Sequence, residues 1–249
     1  MQTIQLDVWH SAADSQRRGA FEQHCEQWLP AEELQNADRY RLVRTRNQHV
    51  IGRAMARRLL AKDQVGPHDI RFCAGTHGKP EVDAPPSAKV PFNIAHTDGL
   101  VVCGITDDDS VQSIGVDVES LHRRTTTEVA DRYFSEPEVD FLRSQKATEQ
   151  KFYFLKIWTL KESFIKAIGT GLFTPLADFA FEGIETAQPQ IRFLNPKLAD
   201  GRSWHFICHQ PRDGFIATAA VATQIDHTHV SSGQSNVSVN WRAFDQNEW

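Results

Sequence analysis

The chain has 249 residues, 40% of them hydrophobic and 24% charged, with a net charge of -5. That balance supports one large core or two modest ones, and it excludes a chain that is basic throughout, so neither nucleic acid nor an anionic membrane is an expected partner. Cys25, Cys73, Cys103 and Cys208 are scattered without a C-x-x-C pair, which fits no disulfide framework or zinc spacing and suits a reducing cytoplasm. The opening M-Q-T-I-Q-L-D-V-W-H lacks the flank and apolar run of a signal peptide, and no apolar run is long enough to span a bilayer. The expectation is a soluble cytoplasmic protein.

Residues 3–9 alternate and predict a first strand. Residues 19–29 predict a short helix stopped near Pro30, and a second helical pattern runs with some break from Ala31 to Ala61, with an apolar stripe from Val50, Ile51, Ala54, Met55 and Leu59. D-I-R-F-C (69–73) predicts a short strand, followed by a Gly- and Pro-rich loop. F-N-I-A-H (92–96) and L-V-V-C-G-I (100–105) predict strands joined at T-D-G. A strand is expected from Ile114, then helices over about 126–146 and 149–168, then four short strands to about Ala222. From about Asp226 the chain is rich in Ser, Asn and Gln and is expected to be a loose polar tail. Strand, helices, strands thus appears twice, which predicts an α+β chain with halves at 1–112 and 113–225, a tail at 226–249, and a ligand at the seam.

Four constellations carry chemistry. In I-G-V-D-V-E (114–119) the period of a strand turns Asp117 and Glu119 the same way and Val118 the other. Two carboxylates that close repel unless one is protonated or a cation lies between them, and oxygen ligands without His or Cys favour Mg²⁺ or Mn²⁺. Taken alone, D-x-E also describes an ordinary solvated strand end. In W-T-L-K-E-S-F-I-K-A-I-G-T-G-L (158–172) a helix puts Trp158, Glu162 and Lys166 on one face. Glu162 and Lys166 would be a surface pair worth a few tenths of a kcal/mol, but the apolar neighbours count against full exposure. Lys161, about 100° round the helix, reads either as a ligand contact or as a surface charge.

The third is basic: Arg39, Arg41, Arg44, Arg46, Arg53, Arg57, Arg58 and Lys62 fall in a segment without Asp or Glu. Part of it is a solvated helix face, yet in an acidic chain it would draw a phosphorylated ligand. The fourth is H-G-K-P (77–80) with F-N-I-A-H-T (92–97), where Lys79 and His96 flank turns suited to phosphate. His205 and His209 have no further ligands and read as structural. The sum is a candidate Mg²⁺ site amid Lys, His and Arg, a kit for chemistry at a phosphate or pyrophosphate.

In order along the chain, G-V-D-V-E (115–119), R-Y-F-S-E-P-E (132–138), F-L-K-I-W (154–158) and W-T-L-K-E-S-F-I-K-A-I-G-T-G-L (158–172) resemble the 4′-phosphopantetheinyl transferases of the surfactin-synthetase-activating type. The match covers about residues 35–185 and includes R-T-R-N-Q-H-V-I-G-R (44–53), H-G-K-P and F-N-x-A-H. The resemblance implies two pseudo-symmetric α+β halves with coenzyme A in the cleft between them. It implies transfer of phosphopantetheine from coenzyme A to a serine of an apo acyl, peptidyl or aryl carrier protein, and two halves in one chain suggest a monomer. Asp117, Glu119 and Glu162 would bind Mg²⁺ (or Mn²⁺), and Glu162, Lys166 and Asp117 would be catalytic. Lys79, Pro80, His96, Thr97, Arg44, Arg46 and Lys166 would contact coenzyme A, and Glu138 would complete the metal surroundings. Ala95 stands where many members carry Ser, which removes one hydroxyl contact, and the segment around Gln48 and His49 is less basic than in many relatives. A non-catalytic coenzyme A-binding scaffold and a Mg²⁺-dependent phosphohydrolase are the alternatives.

Overall fold

Alternation in T-I-Q-L-D-V-W-H-S-A turns Ile4, Leu6 and Val8 to one side of strand β1 (Thr3–Ala12) and Trp9 to the other, and all four are buried. A strand buried on both faces needs a layer on each side. The computed structural model, which describes residues 3–62, 64–75, 77–224 and 236–245, supplies both. After β1 come helices α1 (Ala20–Glu26), α2 (Ala31–Ala37) and α3 (Val43–Leu60). The hairpin β2 (Arg71–Ala74) and β3 (Pro80–Ala84) is followed by β4 (Phe92–Thr97), β5 (Leu100–Ile105) and β6 (Val111–Ser120). Then come α4 (Ala130–Tyr133), α5 (Glu136–Ser144) and the 22-residue α6 (Ala147–Ile168). A second hairpin, β7 (Phe179–Glu182) and β8 (Gln190–Phe193), precedes β9 (Arg202–His209), β10 (Phe215–Gln224) and β11 (Asn236–Ala243).

Besides the two hairpins, the described strands form two larger sheets, in the orders β11-β1-β5-β4 and β6-β10-β9. Val50, Ile51, Ala54 and Met55 of α3 pack with Trp9, Val101 and Cys103 on the outer face of the first sheet. Its inner face, with Leu6, Val8 and Val102, meets Val116, Val118, Ala217 and Ala219 of the second sheet. The far side of the second sheet, with Phe206, Ile216 and Ala220, is covered by Leu160 and Phe164 of α6. The layers therefore run helix, sheet, sheet, helix, an α+β architecture. Among the described residues no helix is long and apolar enough to cross a membrane, and all four cysteines are free.

Contact between β6 and α6 is made at backbone distance. A Cβ on Gly115 would lie 2.0 Å from the Ser163 carbonyl oxygen and 2.5 Å from the Ala167 nitrogen. Only glycine admits that approach. At its far end α6 stops at Gly169, whose φ of 73° is left-handed and whose N–H donates to Ile165 O.

Three elements differ from the sequence expectation. The loop after residue 74 contains β3, paired with β2. The helical stretch at 126–146 breaks at Phe134 and Ser135, because the Ser135 and Glu138 side chains form a capping box that starts α5 afresh. The expected loose tail at 226–249 is wrong for its middle. Asn236–Ala243 is β11, in parallel register with β1, and Val237, Val239 and Trp241 pack on the core between the sheets. The polar residues that suggested a tail alternate with these three. The rest of that expectation, residues 226–235 and 246–249, lies outside the described residues.

Candidate active site

With Val116 and Val118 facing the other sheet, Asp117 and Glu119 face α6. Lys166, in the last turn of α6, donates from Nζ to Asp117 Oδ1 at 2.5 Å. The other oxygen, Asp117 Oδ2, is buried with no hydrogen-bond partner. Glu119 pairs through Oε1 with Arg123 and accepts from Thr97 Oγ1 through Oε2 at 3.3 Å. Thr97 is held from α3 by Gln48, whose Nε2 donates to Thr97 O at 2.7 Å. Asn93 Oδ1 accepts from the Val116 N–H at 2.8 Å, so β4 and β6 are joined beside the carboxylates.

Crowding shows in the titration of these groups. Burial pushes Asp117 above the ordinary carboxylate range, with the Lys166 ammonium opposing. Burial, and then the Asp117 charge, push Glu119 up to about 7. Glu162 is raised by the same two causes in the same order. Desolvation and the Lys166 charge lower the His96 imidazole. Such mutually shifted groups are what a site that handles charge and protons requires.

Asp117, Glu119, Glu162, Lys166, His96 and Thr97 thus share one electrostatic neighbourhood. Lys79 reaches its edge by donating to Ile114 O at 2.9 Å and to Ala167 O at 3.4 Å, and burial lowers its ammonium to about 8. Pro80 begins β3, opposite Ala74. Arg44 is exposed.

Arg46 is already paired within the chain. It bonds Glu26 Oε1 and Asp38 Oδ1, each at 2.8 Å, so acids from outside its own segment neutralise it. Arg53 and Arg57 share Glu33, and Lys62 pairs with Asp107. The basic stretch is therefore largely an internal ion-pair framework, with Arg39, Arg41 and Arg44 left exposed.

Lys161 is neither a surface charge nor a ligand contact, and Glu138 does not face the carboxylates: they form a fully enclosed ion pair at 2.7 Å. Arg123, Gln48 and Asn93 were missed by sequence reasoning. For Arg123 a signal existed, since it lies four residues after Glu119, and its guanidinium also sits 5.7 Å from the Trp158 ring centroid. Gln48 and Asn93 act through contacts 49 and 23 residues away along the chain, for which spacing gives no signal.

Among the described residues no three His, Cys, Asp or Glu side chains stand close enough to hold a metal ion as placed. Lys166 and Arg123 provide the positive charge instead. The donor set still fits a hard cation: Asp117 Oδ2 is an orphaned buried carboxylate oxygen, and Glu119 and Glu162 both feel the Asp117 charge.

The sequence model of the 4′-phosphopantetheinyl transferase superfamily matches residues 113–222, a stretch holding α6, β9 and most of β6 and β10. The chain is 35% identical over 154 residues to the 4′-phosphopantetheinyl transferase ffp of Bacillus subtilis, across 61% of this chain and 66% of that one. It is 37% identical over 132 residues to the 4′-phosphopantetheinyl transferase Sfp of Bacillus subtilis strain 168, across 53% and 56% of the two chains. With the 4′-phosphopantetheinyl transferase HetI of Nostoc sp. strain PCC 7120 it shares 29% identity over 201 residues, 78% of each chain. The chain spans just under two thirds of the first of these relatives and little more than half of the second.

Proposed function

From a chain whose residues 113–222 are a 4′-phosphopantetheinyl transferase superfamily domain, we propose that it transfers the phosphopantetheine arm of coenzyme A to a serine of an apo carrier protein. The serine oxygen forms a new bond to the phosphorus that bears pantetheine. The bond from that phosphorus to the rest of the pyrophosphate breaks, and adenosine 3′,5′-bisphosphate leaves. The observation that carries this reading is the Lys166 ammonium set on Asp117, beside two further carboxylates of raised pKa.

Glu162 is the group proposed to take the serine proton, because burial and the Asp117 charge make its carboxylate more basic than usual. Lys166, whose ammonium sits on Asp117, would stabilise negative charge gathering on the departing phosphate. Asp117, Glu119 and Glu162 would hold Mg²⁺ or Mn²⁺, which when bound neutralises the pyrophosphate. Lys79, with two of its three N–H bonds committed to carbonyls, keeps one for phosphate. His96, Thr97 and Arg44 would contact coenzyme A between the halves 1–112 and 113–225, as would Pro80 beside Lys79. Both halves come from one chain, which favours a monomer, and four free thiols suit the cytoplasm.

Intact-mass spectrometry tests the reaction. An apo acyl-carrier protein incubated with this protein, coenzyme A and Mg²⁺ should gain one phosphopantetheine, and a Ser→Ala carrier should gain none. No gain on either an acyl or a peptidyl carrier would overturn the proposal.

A further inference from the structure

Lys161 precedes Glu162 on α6 and projects about 100° from it around the helix. Its side chain and that of Glu138 are both wholly enclosed. All three N–H bonds of its ammonium are used: to Glu138 Oε2, Leu176 O and Phe179 O, each at 2.7 Å. Glu138 is bound as completely. Its Oε2 also accepts from Ser135 N at 3.0 Å and Ser135 Oγ at 2.6 Å, and its Oε1 accepts from Phe181 N at 3.1 Å. One ion pair therefore ties the start of α5, the middle of α6 and the chain entering β7.

Stability alone does not explain the pair. The cost of stripping water from two buried charges commonly offsets their attraction, and apolar residues of the same volume pack as well or better. What apolar packing lacks is direction. Contacts around Leu160 and Phe164 tolerate a small turn of α6 about its axis, whereas an ammonium caged by three fixed oxygens does not. A turn of about 20° would carry a side chain about 5–6 Å from the axis through roughly 2 Å. Displacements near 1 Å can cost about a hundredfold in rate.

We propose that the Lys161–Glu138 pair is a positioning device for Glu162: it fixes the rotation of α6 so that the Glu162 carboxylate faces Asp117, and neither member touches substrate. This rests on the transferase reading of the site. It gives the motif's first lysine and the Glu of F-S-E-P-E one shared task, outside the reacting centre.

The test is the full chain carrying Lys161→Met with Glu138→Gln, which removes both charges, keeps volume and leaves an acceptor for Phe181 N. Glu138→Gln alone, which keeps Lys161 and its two carbonyl partners, is the second variant should the first not fold. Three quantities are read: the thermal midpoint, the kcat and KM for coenzyme A, and Mn²⁺ affinity in the presence of coenzyme A from the free Mn²⁺ resonance. The expected result is a midpoint within about 5 °C of the parent, kcat lower by about tenfold or more, KM within about twofold, and Mn²⁺ bound several-fold more weakly. A folded variant with parental kcat and parental Mn²⁺ affinity would overturn the proposal, as would a rise confined to KM, the mark of a substrate contact. If the parent itself transfers nothing, the transferase reading fails, and Mn²⁺ affinity alone decides the positioning role.

Discussion

Lys166 Nζ lies 2.5 Å from Asp117 Oδ1, while Oδ2 of the same carboxylate is buried with no partner. One half of the group is satisfied by the chain and the other waits for something outside it. In the transferase reading the two residues then separate cleanly. Lys166→Met should lower kcat and kcat/KM together by about 10²–10³, the loss typical when one preorganised charge is removed from a transition state. Asp117→Asn should abolish transfer yet keep or raise the thermal midpoint, because it removes a buried charge. Steady-state kinetics beside thermal melts checks both; near-parental kcat in Lys166→Met would refute the assigned role.

Stability should fall as the solution turns alkaline through neutrality. Glu119 is raised from 4.5 to about 7, so the folded chain holds that proton more tightly than the unfolded one. Its contribution is fully present below the unfolded value and is lost as pH rises through about 7. The effect is at most about 3 kcal/mol. Glu119→Gln should therefore stabilise the chain at pH about 8 and much less at pH about 5. Mg²⁺ should do likewise, and EDTA should reverse it. Equal shifts at both pH values would contradict the charge crowding.

Two arginines two residues apart should behave differently. Arg46 is bound to Glu26 and Asp38, so Arg46→Ala should cost about 1–3 kcal/mol of stability by leaving the buried Glu26 short of a partner, with KM for coenzyme A within about twofold. Arg44→Ala should leave the melt unchanged and raise that KM. The reverse pattern would return Arg46 to the ligand.

Gly115→Ala places a methyl group within 2.0 Å of the Ser163 carbonyl oxygen. Both partners are backbone, so relief requires α6 to move off the sheet. A loss of at least about 3 kcal/mol, or failure to fold, is expected; a soluble variant with parental stability would show that β6 and α6 lie farther apart.

Period and order made much of this legible. The alternation in G-V-D-V-E did put both carboxylates on one side of a strand, and the apolar helix after residue 149 did lie on the second sheet. Spacing fixes an angle around a helix but not what covers that angle, so Lys161 could not be told from a surface lysine until Leu176, Phe179 and Glu138 closed over it. The partners of Arg46 are hidden for a related reason: they come from α1 and the end of α2, and charge counted within one segment ignores them. In β11, Ser and Asn on one side hid the Val-Val-Trp alternation on the other.

The pairing of β11 with β1 also bears on how the chain folds. Asn240 donates to Asp7 across a sequence separation of 233 residues, and the whole parallel register of the first sheet's edge spans comparable separations. Contacts this distant are costly to close and are made late, so the outer edge of β1 should remain open until the second sheet has formed. During that interval β1 presents one open edge, the kind that recruits strands from other molecules. Refolding should accordingly be slow and sensitive to protein concentration, with the burial of Trp241 reporting the final step.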